Sequence, residues 1–167
     1  NMKAQVKNRF DKQSEMTKLT TDYISMQLSE ISSFEMKLLP INDSIQIICT
    51  VQTVCSEACD SHIKFYTNQW ESLKSSDYLS LPGKTDFIRD VISVHDTDTS
   101  NKKREELYKE ADMLLMHATL SDSLNILTFR YTTPQYMSKE SAERLSPFIK
   151  KNEILYEWAN GKFIRKE

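Results

Sequence analysis

Glycine is the scarcest structural resource in this chain. Only Gly83 and Gly161 occur in 167 residues, where ordinary usage of roughly 7% would supply about a dozen. Tight hairpin turns hold one or two residues at positive φ, a region that glycine enters without steric cost. The shortage therefore predicts few such turns and disfavours a turn-rich sheet. It also removes phosphate-cradling loops, because two distant glycines assemble neither a Gly-x-Gly-x-x-Gly run nor a Walker-type loop.

Hydrophobic spacing points the same way. From about Asp43 to Ser76 apolar or soft residues fall in steps of three and four at Ile47, Ile48, Val51, Val54, Cys55, Ala58, Cys59, His62, Ile63, Tyr66, Trp70 and Leu73. Gln46, Gln52, Thr53, Glu57, Asp60 and Lys64 fill the opposite side, which predicts an amphipathic helix about 50 Å long. The β-branched run Ile45 to Val54 pulls toward strand, and period is taken to outrank composition. A looser stripe from Val6 to Leu38 predicts a second long helix ended by Pro40, with Asp43 or Ser44 capping the next. Two long helices joined this tightly pack antiparallel.

Further along, Pro82-Gly83 closes a Ser-rich break, and a short helix follows with Phe87, Ile88, Val91, Ile92 and His95 inward. Residues from Asn101 to about Leu120 read as helix, whereas Leu124 to Thr133 suits helix or strand equally. Ser138 is placed to cap Lys139 to Leu145, and Ser146-Pro147 to open a last helix reaching Ala159. Asn160-Gly161 is read as the cap ending that helix, its alternative being a two-residue hairpin turn that sets Trp158 opposite Phe163. The expectation is an all-α fold, a helical bundle built on a long antiparallel helical hairpin, with room for a short β-hairpin at the C-terminus. No repeat or composition shift divides the chain, so residues 1–167 are read as a single helical domain.

Apolar residues make up 39% and charged ones 28%, enough apolar content to exclude disorder. Lys plus Arg numbers 22 against 24 for Asp plus Glu, a net charge of −2. No basic surplus points to nucleic acid, and none is expected as a partner. No apolar run approaches the ~18 residues of a membrane helix.

The three cysteines, Cys49, Cys55 and Cys59, are odd in number and clustered. That is a poor disulfide framework and favours a reducing, cytoplasmic setting. On a helix Cys55, Cys59 and His62 would share a face and could converge on zinc or copper, with thiolate and imidazole the donors such metals prefer. The same three positions also lie on the stripe that must form the core, where free cysteine behaves as a small hydrophobe. No cofactor is otherwise expected. No Gly-x-Ser-x-Gly, His-Glu-x-x-His or Glu-x-x-His run occurs. Glu105 and Glu106 diverge on a helix, and Lys102, Lys103 and Arg104 form a charged turn.

Arg89 and His95 form an Arg-x5-His pair that resembles the Arg-x4-6-His spacing of HEPN ribonucleases, an all-helical family. The resemblance spans only those seven residues and implies RNA cleavage by the pair at a dimer interface. In length and helix pattern the chain is also similar to the extracytoplasmic helical sensing domains of chemoreceptors and histidine kinases. That likeness supplies the alternative localisation, a domain excised from a membrane-anchored protein, since Asn1 precedes Met2.

Aromatic residues are the remaining resource. Trp70, Tyr66, Tyr78, Trp158 and Phe163 would line a ligand pocket or form a patch for a partner, because flat rings offer large contact area at low entropic cost. Met113 and Met116 beside Leu114 and Leu115 suit an adaptable groove as well as ordinary packing. The function expected by elimination is a non-enzymatic sensor or regulatory module that binds a small ligand or a protein partner, with homodimerisation along its long helices. The alternatives are a metal- or redox-responsive protein using Cys55, Cys59 and His62, and a HEPN-like ribonuclease.

Overall fold

Along residues 153 to 159 Ile154, Tyr156 and Trp158 are buried, while Glu153 and Leu155 are exposed and Glu157 and Ala159 are half-buried, the alternate burial that a strand requires. Strands dominate the structure. The computed structural model describes residues 5–7, 13–89 and 106–166. Seven strands form one antiparallel meander in chain order: β1 (Gln5–Lys7), β2 (Gln13–Leu19), β3 (Tyr23–Ser29), β4 (Ser32–Pro40), β5 (Gln46–Cys55), β6 (Cys59–Tyr66) and β7 (Ser72–Leu73). Four more, β8 (Met116–Leu120), β9 (Ile126–Tyr131), β10 (Glu153–Ala159) and β11 (Lys162–Arg165), form a second antiparallel sheet in the order β11-β10-β9-β8. Helices are short: α1 (Lys84–Phe87), α2 (106–110), α3 (Thr133–Tyr136) and α4 (Lys139–Leu145), the last capped by Ser138, whose hydroxyl accepts from Ser141 N.

The all-α bundle is thus overturned. Both stretches expected as long helices belong, where described, to strands and turns of the first sheet, and two features of the residues explain the difference. On β5 five successive side chains, Ile47 to Val51, are buried. The inner face takes Ile47, Cys49 and Val51 into the core, while Ile48 and Thr50 are covered on the outer face among Phe34, Lys64 and Tyr66. A strand apolar on both sides loses its alternation, and steps of three and four appear by coincidence.

The second feature is how turns form without glycine. Side chains do it. Thr20 Oγ1 accepts from the amides of Asp22 and Tyr23 at the β2–β3 turn. Asn42 Oδ1 accepts from Ser44 and Ile45 at β4–β5, and Ser121 Oγ from Ser123 and Leu124 at β8–β9. Such short polar side chains mimic a backbone turn. Positive φ is confined, among the described residues, to Trp70 (64°), Asn160 (52°) and Gly161 (76°). Asn160-Gly161 is a hairpin turn and not a helix cap, with Trp158 facing Phe163 across β10 and β11.

One apolar cluster fills the space between the sheets. From the first come Leu39, Ile47, Cys49, Val51, Ile63 and Phe65, and from the second Leu127, Phe129, Ile154, Tyr156, Trp158 and Phe163. Phe87, Ile88, Leu107 and Leu145 close the remaining side. β8, an edge strand of its own sheet, lies over the inner face of the first. Its outward amides would be orphaned there, and buried orphan donors are costly. Side chains of the first sheet satisfy them: Ala118 N donates to Ser61 Oγ (2.9 Å) and Leu120 N to Glu35 Oε2 (2.9 Å).

Candidate functional site

Four loops meet at the end of the sheets where β4 turns into β5. The β4–β5 turn, the loop after β6, the β8–β9 turn and the β10–β11 turn bring Asn42, Asp43 and Ser44, then Asn68, Asn125 and Asn160, around one concavity of about 880 Å³. Its wall continues along the outer face of the first sheet through Leu38, Gln46 and Ile48. Trp158 also lines it, and its indole Nε1 donates to Pro40 O (2.7 Å), tying the two sheets together. Behind Trp158 stand Tyr78 (centroids 6.3 Å apart, near parallel) and Phe163 (5.0 Å, edge to face), so the wall is rigidly backed.

The lining of this bowl is mainly uncharged. Among the described residues no hydrogen bond engages the side-chain amides of Asn68, Asn125 or Asn160, which leaves each with a donor and an acceptor to offer. Among the described residues Asp43 is its single carboxylate, and no histidine, cysteine or cation lines it.

A second, smaller concavity adjoins it. Tyr66 pairs with Ile48 in the β5–β6 register. From that row a notch of about 170 Å³ runs outward, lined by Phe34, Thr50, Gln52, His62, Lys64, Tyr66 and Trp70. Trp70 leans on Tyr66 (centroids 5.6 Å, 55° apart) and is 57% exposed.

The residues singled out from the sequence are dispersed. Cys55 and Cys59 face each other across the β5–β6 hairpin and form a disulfide. A helix would have put His62 beside them. On a strand, three residues from Cys59, it lies on the other face. The sulfurs are consumed and the imidazole points away, so the trio forms no metal site, and no cluster of three His, Cys, Asp or Glu suited to a metal occurs among the described residues. Cys49 is free, wholly buried, and its thiol is pushed up by burial, which leaves it unreactive. Arg89 follows an isolated bridge between Ile88 and Ile149, and His95 lies outside the described residues. Of the aromatics, Trp158 lines the bowl and Trp70 with Tyr66 the notch, whereas Tyr78 and Phe163 pack against Phe65 in the core.

Two polar groupings lay beyond the reach of sequence reasoning. On the outer face of the second sheet His117, Thr119, Thr128, Arg130 and Glu153 line a shallow depression. Arg130 is engaged by Glu153 (2.6 and 2.8 Å), and burial together with the Arg130 charge holds the His117 pKa below its ordinary value. Inside, Lys37 is wholly buried between its register partners Tyr23 and Cys49. Its ammonium is 3.0 Å from Asp22 Oδ2, 5.8 Å from the Tyr23 ring centre, and without a well-aligned hydrogen bond among the described residues. One row away, Glu35 accepts from Tyr23 Oη (2.7 Å) and from Leu120 N, and burial raises its pKa. Of these groups, Glu35 bridges the seam between the sheets.

No curated protein sequence matches the chain. Among solved structures it is similar to a domain of an uncharacterized protein from Porphyromonas gingivalis W83, with a TM-score of 0.84 and 27% identity over 99% of this chain and 81% of that one. Residues 1–163 match the family described as a protein of unknown function, DUF3256, and the chain belongs to that family.

Proposed function

We propose that the protein is a non-catalytic binding module, of the kind used for sensing or regulation, and that it holds a small neutral polar ligand in the amide-lined bowl. The observation that carries this reading is the convergence of Asn68, Asn125 and Asn160, their amides unengaged, on one concavity backed by the fixed ring of Trp158. Binding loops displayed on a rigid sheet scaffold are a common arrangement, and the volume falls in the range of small-molecule sites. The bowl offers Asp43 and Ser44, but among the described residues no histidine or cation lines it to complete an acid-base pair or activate a nucleophile.

The Cys55–Cys59 disulfide supports the extracytoplasmic setting over the cytoplasmic one, since such bonds persist in oxidising compartments.

The test is the side-chain amide region of a ¹H–¹⁵N spectrum, recorded with a panel of simple sugars, amino-acid amides and short neutral peptides. At least one class is expected to shift the Asn68, Asn125 and Asn160 amides, and an Asn68→Ala, Asn125→Ala double variant to weaken that binding more than tenfold. A panel that moves none of these amides would sink the reading.

A further inference from the structure

The notch beside the bowl has an unusual occupant. Trp70 sits at φ +64°, a left-handed conformation that is a genuine outlier for a bulky side chain. The turn that holds it there is overdetermined: Trp70 N donates to Thr67 O (3.0 Å), Thr67 N to Glu71 O (2.9 Å), and Glu71 N and Gln69 N both to Thr67 Oγ1. Backbone strain maintained in this way is characteristic of functional positions. Its result here is a tryptophan 57% exposed, leaning on Tyr66 above a recess the size of one pyranose ring. The rim of that recess is hydrogen-bonding: Thr50, Gln52, His62 and Lys64.

From this arrangement we infer that the notch is a carbohydrate subsite and that the ligand is a glycan chain lying across the outer face of the first sheet. The inference rests on the bowl being a binding site, and it names the ligand class. A pyranose presents an apolar side of C–H bonds, which suits the negative face of an aromatic ring. Its edge presents hydroxyls, which suit mixed donors and acceptors such as Gln52 and His62. The row Leu38, Ile48 and Tyr66 joins the notch to the bowl, so a linear chain can seat one ring on Trp70 while a further unit reaches the asparagines. A protein interface would instead need roughly 800 Å² on each partner, whereas the apolar floor of Phe34, Tyr66 and Trp70 forms a recess of only about 170 Å³.

Two tryptophans occur in the chain, and Trp158 is only 8% exposed, so iodide quenching reports Trp70. The experiment titrates the intact protein with soluble hexasaccharides of β1,4-linked glucose, β1,4-linked N-acetylglucosamine and α1,6-linked mannose, following quenching and the asparagine amide resonances. The expected result is that at least one hexamer protects Trp70 and shifts the bowl amides. Trp70→Ala is then expected to weaken binding at least tenfold by calorimetry, and Trp70→Tyr to restore most of it. If a hexamer shifts the amides but Trp70→Ala binds it equally well, the platform is refuted and the bowl reading stands. If only non-sugar probes move the amides, the glycan class is refuted alone. Protection of Trp70 that grows with protein concentration in the absence of sugar assigns the face to a second copy and overturns the inference. No protection and no shift with any probe overturns both readings.

Discussion

At Gly161 the φ of +76° allows a two-residue turn between β10 and β11, and a Cβ there would meet Ile41 Cδ1 at 3.6 Å, an ordinary contact. Conformation and not space is what the residue supplies. Gly161→Ala is therefore expected to cost about 1 kcal/mol, the penalty of a left-handed L-residue, as a lower urea midpoint at unchanged slope. Lys37 calls for a different comparison. Its ammonium is fully buried, and Asp22, 40% exposed at its side chain, is its ion-pair partner. Removing one partner of such a pair strands the other charge, whereas an apolar residue of similar shape removes the desolvation cost along with the charge. Asp22→Asn is expected to cost about 2 kcal/mol, less than the roughly 3–5 kcal/mol of fully buried pairs because water reaches Asp22. Lys37→Met should fall within about 1 kcal/mol of the wild type. Equal losses in the two variants, by urea titration, would show that the buried charge is not the operative quantity.

Among the elements, the β5–β6 hairpin is where stability and compartment meet. Its disulfide encloses only Ser56, Glu57 and Ala58. Loop-closure entropy grows slowly with length, so a bridge this short restricts the unfolded chain by about 2 kcal/mol. A Cys55→Ser, Cys59→Ser variant should lose about that much and keep the fold, because the flanking ladder pairs β5 with β6 from Ile48 to Cys55. A variant that fails to fold in the absence of denaturant would mean the hairpin depends on the bridge. The strands were only partly legible in the chain. The Asn160-Gly161 dipeptide is a standard hairpin signal, although its expected role was a helix cap, and β10 itself was not legible because Leu155 between Ile154 and Tyr156 breaks the alternation and suggests a helix to Ala159. β4 to β6 were not legible, because Leu38, Ile48 and Tyr66 make the outer face apolar too. What hid the strands is thus the face to which the glycan subsite is assigned. Of the site, Trp70, Tyr66 and Trp158 were visible as aromatics, but the asparagines join only through the turns, which sequence spacing does not reveal.

Across the whole molecule, the two sheets are joined by polar groups as well as by the core. Glu35 of the first sheet receives Leu120 N of the second and the Tyr23 hydroxyl of its own, while Lys18 and Asp122 pair at the rim. Burial raises the Glu35 pKa, so the folded state holds a proton on this group more tightly than the unfolded chain does. The sign follows from linkage: the stability that a raised pKa confers is complete below the unfolded carboxyl value and is lost as pH rises through the folded one. Asp22, Asp86 and Asp122 shift the other way, each lowered first by its cationic neighbour, Lys37, Arg165 and Lys18 respectively. Their contribution is present above the unfolded value and is lost as pH falls. The wild-type profile mixes both, and a single substitution separates them. In Glu35→Gln the amide oxygen can accept from Leu120 N while its NH₂ donates to the Tyr23 oxygen, which can reverse its role. The seam is then kept and the titration removed. Unfolding free energies of the two proteins, compared from pH 4 to pH 8, should diverge, the wild type losing ground to Glu35→Gln as pH rises. Parallel curves would mean that Glu35 titrates alike in the folded and unfolded chains, and that water reaches the seam between the sheets.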